Sequence, residues 1–243
     1  MGVRLILGFA ISFTVFIIAP ALLPQQLAAG PVPQLGDAVE LLMPFVLVPM
    51  YYLLYRSAED WAFDPPSGPL TALFMVAAII FIDGHGMHLA ANSISHFLKG
   101  LPGSDAYAIT YFYDEVLSHY MLRLGTLGFA GVLLWRHYQP VKKGVNMWHI
   151  GRRQRLLLGV AAALYGLTVA LAAIEGQTVL LDLPAALVIA VLFGLFWWRQ
   201  RHLPGAPVFS FLGMGYVAAT IVLGGWGLFW SGFPQFSELG IIK

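Results

Sequence analysis

The chain has 243 residues, of which 59% are hydrophobic and 10% charged, with a formal net charge of +1. Soluble domains carry about 25% charged residues, so the composition excludes an ordinary soluble protein and predicts an integral membrane protein. The absence of cysteine excludes disulfides, thiolate metal sites, iron–sulfur clusters and cysteine nucleophiles; any metal must be held by nitrogen and oxygen.

Seven apolar stretches approach the ~20 residues that a bilayer crossing needs. They are 3–23, 38–55, 69–98, 108–135, 155–174, 178–198 and 208–230. The expected fold class is therefore all-α: a polytopic bundle of seven transmembrane helices, with 1–243 as a single transmembrane domain. The first stretch has something of a signal peptide's form, with Ala28-Ala29-Gly30 as a cleavage-like segment. Its apolar core is longer than that of a signal peptide, so a retained span is expected. Asp37 and Glu40 open the second stretch, and Pro65-Pro66 closes the loop behind it.

The third stretch holds the run Asp83-Gly84-His85-Gly86-Met87-His88-Leu89-Ala90-Ala91-Asn92-Ser93-Ile94-Ser95-His96. On a helix, His85, His88, Asn92 and His96 fall within about 80° of one another. Polar side chains inside an apolar span are costly and mark function or a structural polar network. The fourth stretch carries Tyr111, Tyr113, Asp114, Glu115, Ser118 and His119, in which Glu115 and His119 are i,i+4 neighbours. The two helices are expected to face each other and build a site, with His85, His88, His96, Glu115 and His119 as metal ligands. Asp114 and Glu115 are the candidate catalytic carboxylates. Asn92, Ser93, Tyr111 and Ser118 would orient the imidazoles through their second ring nitrogen. Asp83 points away from the stripe and is expected either to support the site or to pair with Arg123. Glu175, at the end of the fifth stretch, is a further supporting candidate; Asp182 opens the sixth. These two stretches, joined by Glu175-Gly176-Gln177, are expected to form an antiparallel hairpin.

Charge sets the orientation. With alternating spans, Arg4, Arg56, Arg136, Lys142, Lys143, Arg152, Arg153, Arg155, Arg199 and Arg201 share one side, ten of the thirteen basic residues. The positive-inside rule then predicts a cytoplasmic N-terminus and an external C-terminus. On that topology the histidine–carboxylate site lies in the outer leaflet, and His137, His149 and His202 lie among the inner basic loops. Those loops are read as topogenic charge against anionic lipid, and no nucleic-acid partner is expected. A multi-pass protein of a bacterial inner membrane is the expected localisation.

Imidazole with carboxylate suits zinc or non-haem iron, and imidazole alone suits copper. Ser93 and His96 resemble one part of the zinc site of the alkaline ceramidase and adiponectin-receptor superfamily, but span seven has no histidine, so membership is not claimed. The expected function is a membrane-embedded, metal-dependent enzyme between spans three and four, of zinc-hydrolase type, acting on a lipid or other apolar small-molecule substrate. An iron or copper oxidoreductase is one alternative. A non-catalytic metal- or haem-binding or structural subunit is another.

Overall fold

The computed structural model describes residues 2–23, 35–57, 67–98, 100–142, 151–200 and 206–241. Helices dominate them, and no strand occurs among the described residues. In chain order they are α1 (Gly2–Leu22), α2 (Leu35–Arg56), α3 (Gly68–Leu98), α4 (Asp105–Tyr111), a π-helical segment (Phe112–Ser118), α5 (His119–Lys142), α6 (Arg152–Glu175), α7 (Val179–Gln200) and α8 (Pro207–Trp230). The α4, π and α5 pieces follow one another without a break, so seven helical units are long and apolar enough to cross a membrane. Helices satisfy their own backbone polar groups, which is why apolar chain of this length takes that form. Their limits lie within a few residues of the expected spans. The fourth is the exception, running seven residues beyond the expected 135 to Lys142, because residues 136–142 are largely polar and carry no apolar signal.

The centre of the bundle is aromatic. Phe9 and Phe13 of α1, Tyr51 of α2, Phe129 of α5, Tyr165 of α6, and Phe211 and Tyr216 of α8 are all buried there. Tyr51 stacks on Phe129 at 4.2 Å between ring centroids, and Phe13 meets Tyr165 at 4.8 Å. Between helices in hydrocarbon, close packing of this kind replaces the hydrophobic effect as the source of cohesion.

The arrangement corrects one expectation. Although α6 and α7 are joined by a short turn, they share few contacts; each packs extensively against α8, which lies between them. At Gly166 a Cβ would sit 2.1 Å from the Gly215 carbonyl oxygen, so glycine allows α6 and α8 to touch backbone to backbone.

The second tight pair, α3 with α5, positions the histidines. A Cβ on Gly84 would fall 2.7 Å from Met121 Cβ, and one on Gly125 would fall 2.7 Å from Phe81 Cα. Gly84 thus serves close approach, and α3 continues through it as unbroken helix. Gly86 has nothing within 4 Å of its Cβ position and lies on the opposite, exposed side.

Candidate functional site

Because α3 lies so close to α5, the His88 and His119 rings meet with centroids 4.8 Å apart. His88 Nδ1 lies 2.8 Å from Asp114 Oδ1, and its Nε2 faces Glu40 Oε2 at 4.0 Å. His119 Nδ1 lies 3.9 Å from Glu115 Oε2, and the ring packs against Gly176 at the end of α6. His85 is 3% exposed. The Glu40 backbone approaches its ring, yet neither ring nitrogen has a hydrogen-bond partner of good geometry. Pro44, one turn along α2, has no N–H to give the Glu40 carbonyl, so the sequence leaves that oxygen free to face the histidine.

The π-helical segment sets the carboxylates. It begins one residue after Tyr111, and within it Asp114 and Ser118 are buried while Glu115 is partly exposed. Ser118 donates through its hydroxyl to the Asp114 carbonyl, closing the turn from inside. Such π segments occur mostly as single insertions within α-helices and often at functional sites.

These groups adjoin a cavity of about 400 Å³. Its polar wall includes Asp37, Glu40, His85, His88, Glu115 and His119, and its apolar wall includes Phe16, Ile17, Met43, Phe81 and Leu122. The enclosure therefore takes in α1, α2 and α6 as well as the two helices on which the sequence places the metal ligands. The sequence puts Asp37 and Glu40 at the same outer face as the histidines but not among the site residues; here both line the cavity. Their signal was present: two acids at i,i+3 in an apolar helix share a face. Asn92 also lines the cavity, with its amide nitrogen 3.5 Å from Asp37 Oδ1.

Other sequence candidates are placed elsewhere. Asp83 and Tyr111 are exposed, and neither they nor Ser93 are among the residues lining the cavity. Ser118 is spent on its own helix. The His96 side chain lies outside the described residues, as do Lys143, His149, Arg201, His202 and Lys243. Glu175 reaches the cavity, but one carboxylate oxygen accepts the backbone N–H groups of Phe236 (2.8 Å) and Ser237 (3.4 Å). It ties the segment after α8 to the end of α6.

Two ionisable groups turn out to be structural. Arg123 pairs with Asp182, not with Asp83. Its Nε donates to both carboxylate oxygens at 3.0 and 2.9 Å, and its Nη2 donates to Asp182 Oδ1 at 2.7 Å and to the Val169 carbonyl at 3.0 Å. Thr178 donates to Asp182 Oδ2 at 2.7 Å. His137 is not in a loop: it is buried in α5, with Nε2 3.1 Å from the Leu54 carbonyl oxygen.

With three imidazoles and several carboxylates on one wall, the cavity offers nitrogen and oxygen donors and proton-transfer groups to a molecule entering along the apolar wall. Comparison with known protein families, characterised proteins and solved structures finds no match to this chain. Function therefore has to be argued from the cavity.

Proposed function

We propose that the chain is a membrane-embedded, metal-dependent enzyme acting on a lipid or other apolar substrate. The observation that carries this reading is the convergence of His85, His88, His119, Glu40 and Glu115 on one cavity that also has an apolar wall. A cation there would neutralise buried carboxylates and engage imidazole nitrogens that otherwise lack partners. Among the described residues, no three of these side chains already stand as a ligand set, so binding would draw them inward. His88 Nε2 and Glu40 Oε2, 4.0 Å apart, would have to close to about 3.4 Å to sit as two donors at about 2.1 Å around a tetrahedral ion. Zinc would supply a bound water whose pKa falls to about 7. Asp114 would hold the His88 ring in place, and Glu115 would take and return the proton.

In this reading the helices cross a bacterial inner membrane with the N-terminus in the cytoplasm, so the cavity opens towards the outer leaflet. The basic residues concentrated on one side support it.

The contact of His88 with Asp114 at 2.8 Å favours a second reading, a metal-free acid–base pair. A carboxylate on Nδ1 fixes the ring and leaves Nε2 turned towards Glu40 and the cavity, ready to move a proton.

Elemental analysis and a visible spectrum of the detergent-purified protein, prepared without chelators, separate these readings. About one zinc per chain and no colour is expected, with His88→Ala and His119→Ala losing the metal while remaining folded. Undiminished metal in both variants would sink the site. Iron or copper would redirect the reading to an oxidoreductase, and a Soret band to a haem-binding subunit. A protein with neither metal nor chromophore would leave the acid–base pair.

A further inference from the structure

Asp83 is the sixteenth of α3's 31 residues, with fifteen on either side. It is exposed, and no hydrogen bond or ion pair to it exists among the described residues. Along the same outward face run Ile79, Ile82, Gly86, Ala90 and Ile94. In a bundle that crosses a bilayer, this face meets hydrocarbon and Asp83 sits near its midplane. An ionisable side chain there faces a protein interior or a partner in nearly all cases, because lipid offers it nothing. Gly86, one turn from Asp83, makes the anomaly sharper. Glycine in a helix costs about 1 kcal/mol relative to alanine, and at Gly84 or Gly125 close packing within the chain explains it. At Gly86 none of the described residues uses the space.

We propose that this face of α3 docks a transmembrane helix of another protein carrying one lysine or arginine near mid-depth. Gly86 and Ala90, four residues apart, let a second backbone come close, and Asp83 supplies the complementary charge. A second copy of this chain fits less well. Two-fold pairing through α3 sets carboxylate against carboxylate. Pairing α3 with another surface also fails, since the exposed basic residues described (Arg4, Arg56, Arg152, Arg153, Arg155 and Arg199) all lie in the first or last turn of their helices.

The test uses the full chain, labelled at a single cysteine introduced by Ser67→Cys, in phosphatidylcholine vesicles. The probes are synthetic leucine–alanine transmembrane peptides, acceptor-labelled and identical except for a central Arg or Leu. Energy transfer should show the Arg peptide binding roughly tenfold more tightly than the Leu peptide. Asp83→Asn should remove that difference, and Gly86→Ile should weaken docking of the Arg peptide. Equal binding of the two peptides, or binding indifferent to Asp83→Asn, overturns the proposal. Self-association of the wild-type chain that Asp83→Asn abolishes also overturns it, by assigning the face to a second copy. Asp83→Asn should leave the melting temperature in detergent unchanged; a fall would reveal an internal partner and remove the premise.

Discussion

Arg123 shows how a full charge is carried among apolar helices. Its guanidinium has a carboxylate gripped through two nitrogens and a backbone carbonyl, and the carboxylate has a threonine hydroxyl besides. Removing one partner leaves the other buried and uncompensated, so Asp182→Ala should cost about 3–5 kcal/mol. Thr178→Val, which deletes one hydrogen bond, should cost about 1 kcal/mol. Denaturant unfolding in detergent measures both, and equal small losses would mean that the pair is solvated. Little of this was legible beforehand. The sequence marks Arg123 and Asp182 as costly residues, but their meeting across 59 positions depends on how α5, α6 and α7 are set around α8. The cavity residues were more legible, because His85, His88, Asn92 and His119 reveal themselves as polar positions in apolar helices. Glu40 was not, since an acid at the start of a span reads equally well as a solvated end.

Between elements, the decisive distance is that between α3 and α5. At Gly125 an added methyl group would strike the Phe81 backbone, which has no rotamer with which to move aside. Gly125→Ala should therefore destabilise by roughly 1–3 kcal/mol and part the His88 and His119 rings. Gly86→Ala, in open space, should instead stabilise the helix by up to about 1 kcal/mol. Thermal melts of the two variants in the same detergent should shift in opposite directions. Gly84 and Gly86, separated by one residue, look alike in the sequence; only their angular positions on the helix, about 200° apart, assign Gly84 to packing and Gly86 to the outside. The extent of each helix was readable from hydropathy, because length and apolarity are local properties. The partners of each helix were not, as α6 and α7 illustrate.

At the scale of the whole molecule, seven helices are long and apolar enough to cross a membrane, and the proposed topology puts the two termini on opposite sides of it. That proposal takes its orientation from the distribution of lysine and arginine, with the N-terminus on the basic side. A periplasmic-active alkaline phosphatase fused after Lys243 should be active, and the same reporter fused at Met1 inactive. The reverse pattern would move the cavity to the cytoplasmic leaflet. The seven-helix count was legible because each apolar stretch is separated by proline, glycine or charge. The enclosure of the site was less so: the sequence places the metal ligands on two helices, with Glu175 as a supporting candidate on another, whereas the cavity is walled by α1, α2 and α6 too. Closure of that kind comes from long-range packing, which no single stretch records.

The π-helical segment gives the fourth long helical unit two phases. Bonding from i to i+5 admits a surplus residue relative to the α pattern, so the helix beyond it is out of phase with the helix before it by one residue's arc, about 100°. The two ends of one rod can then be addressed to different neighbours. The end before the segment packs against α3, while the end beyond it packs against α2, α7 and α8 as well as α3.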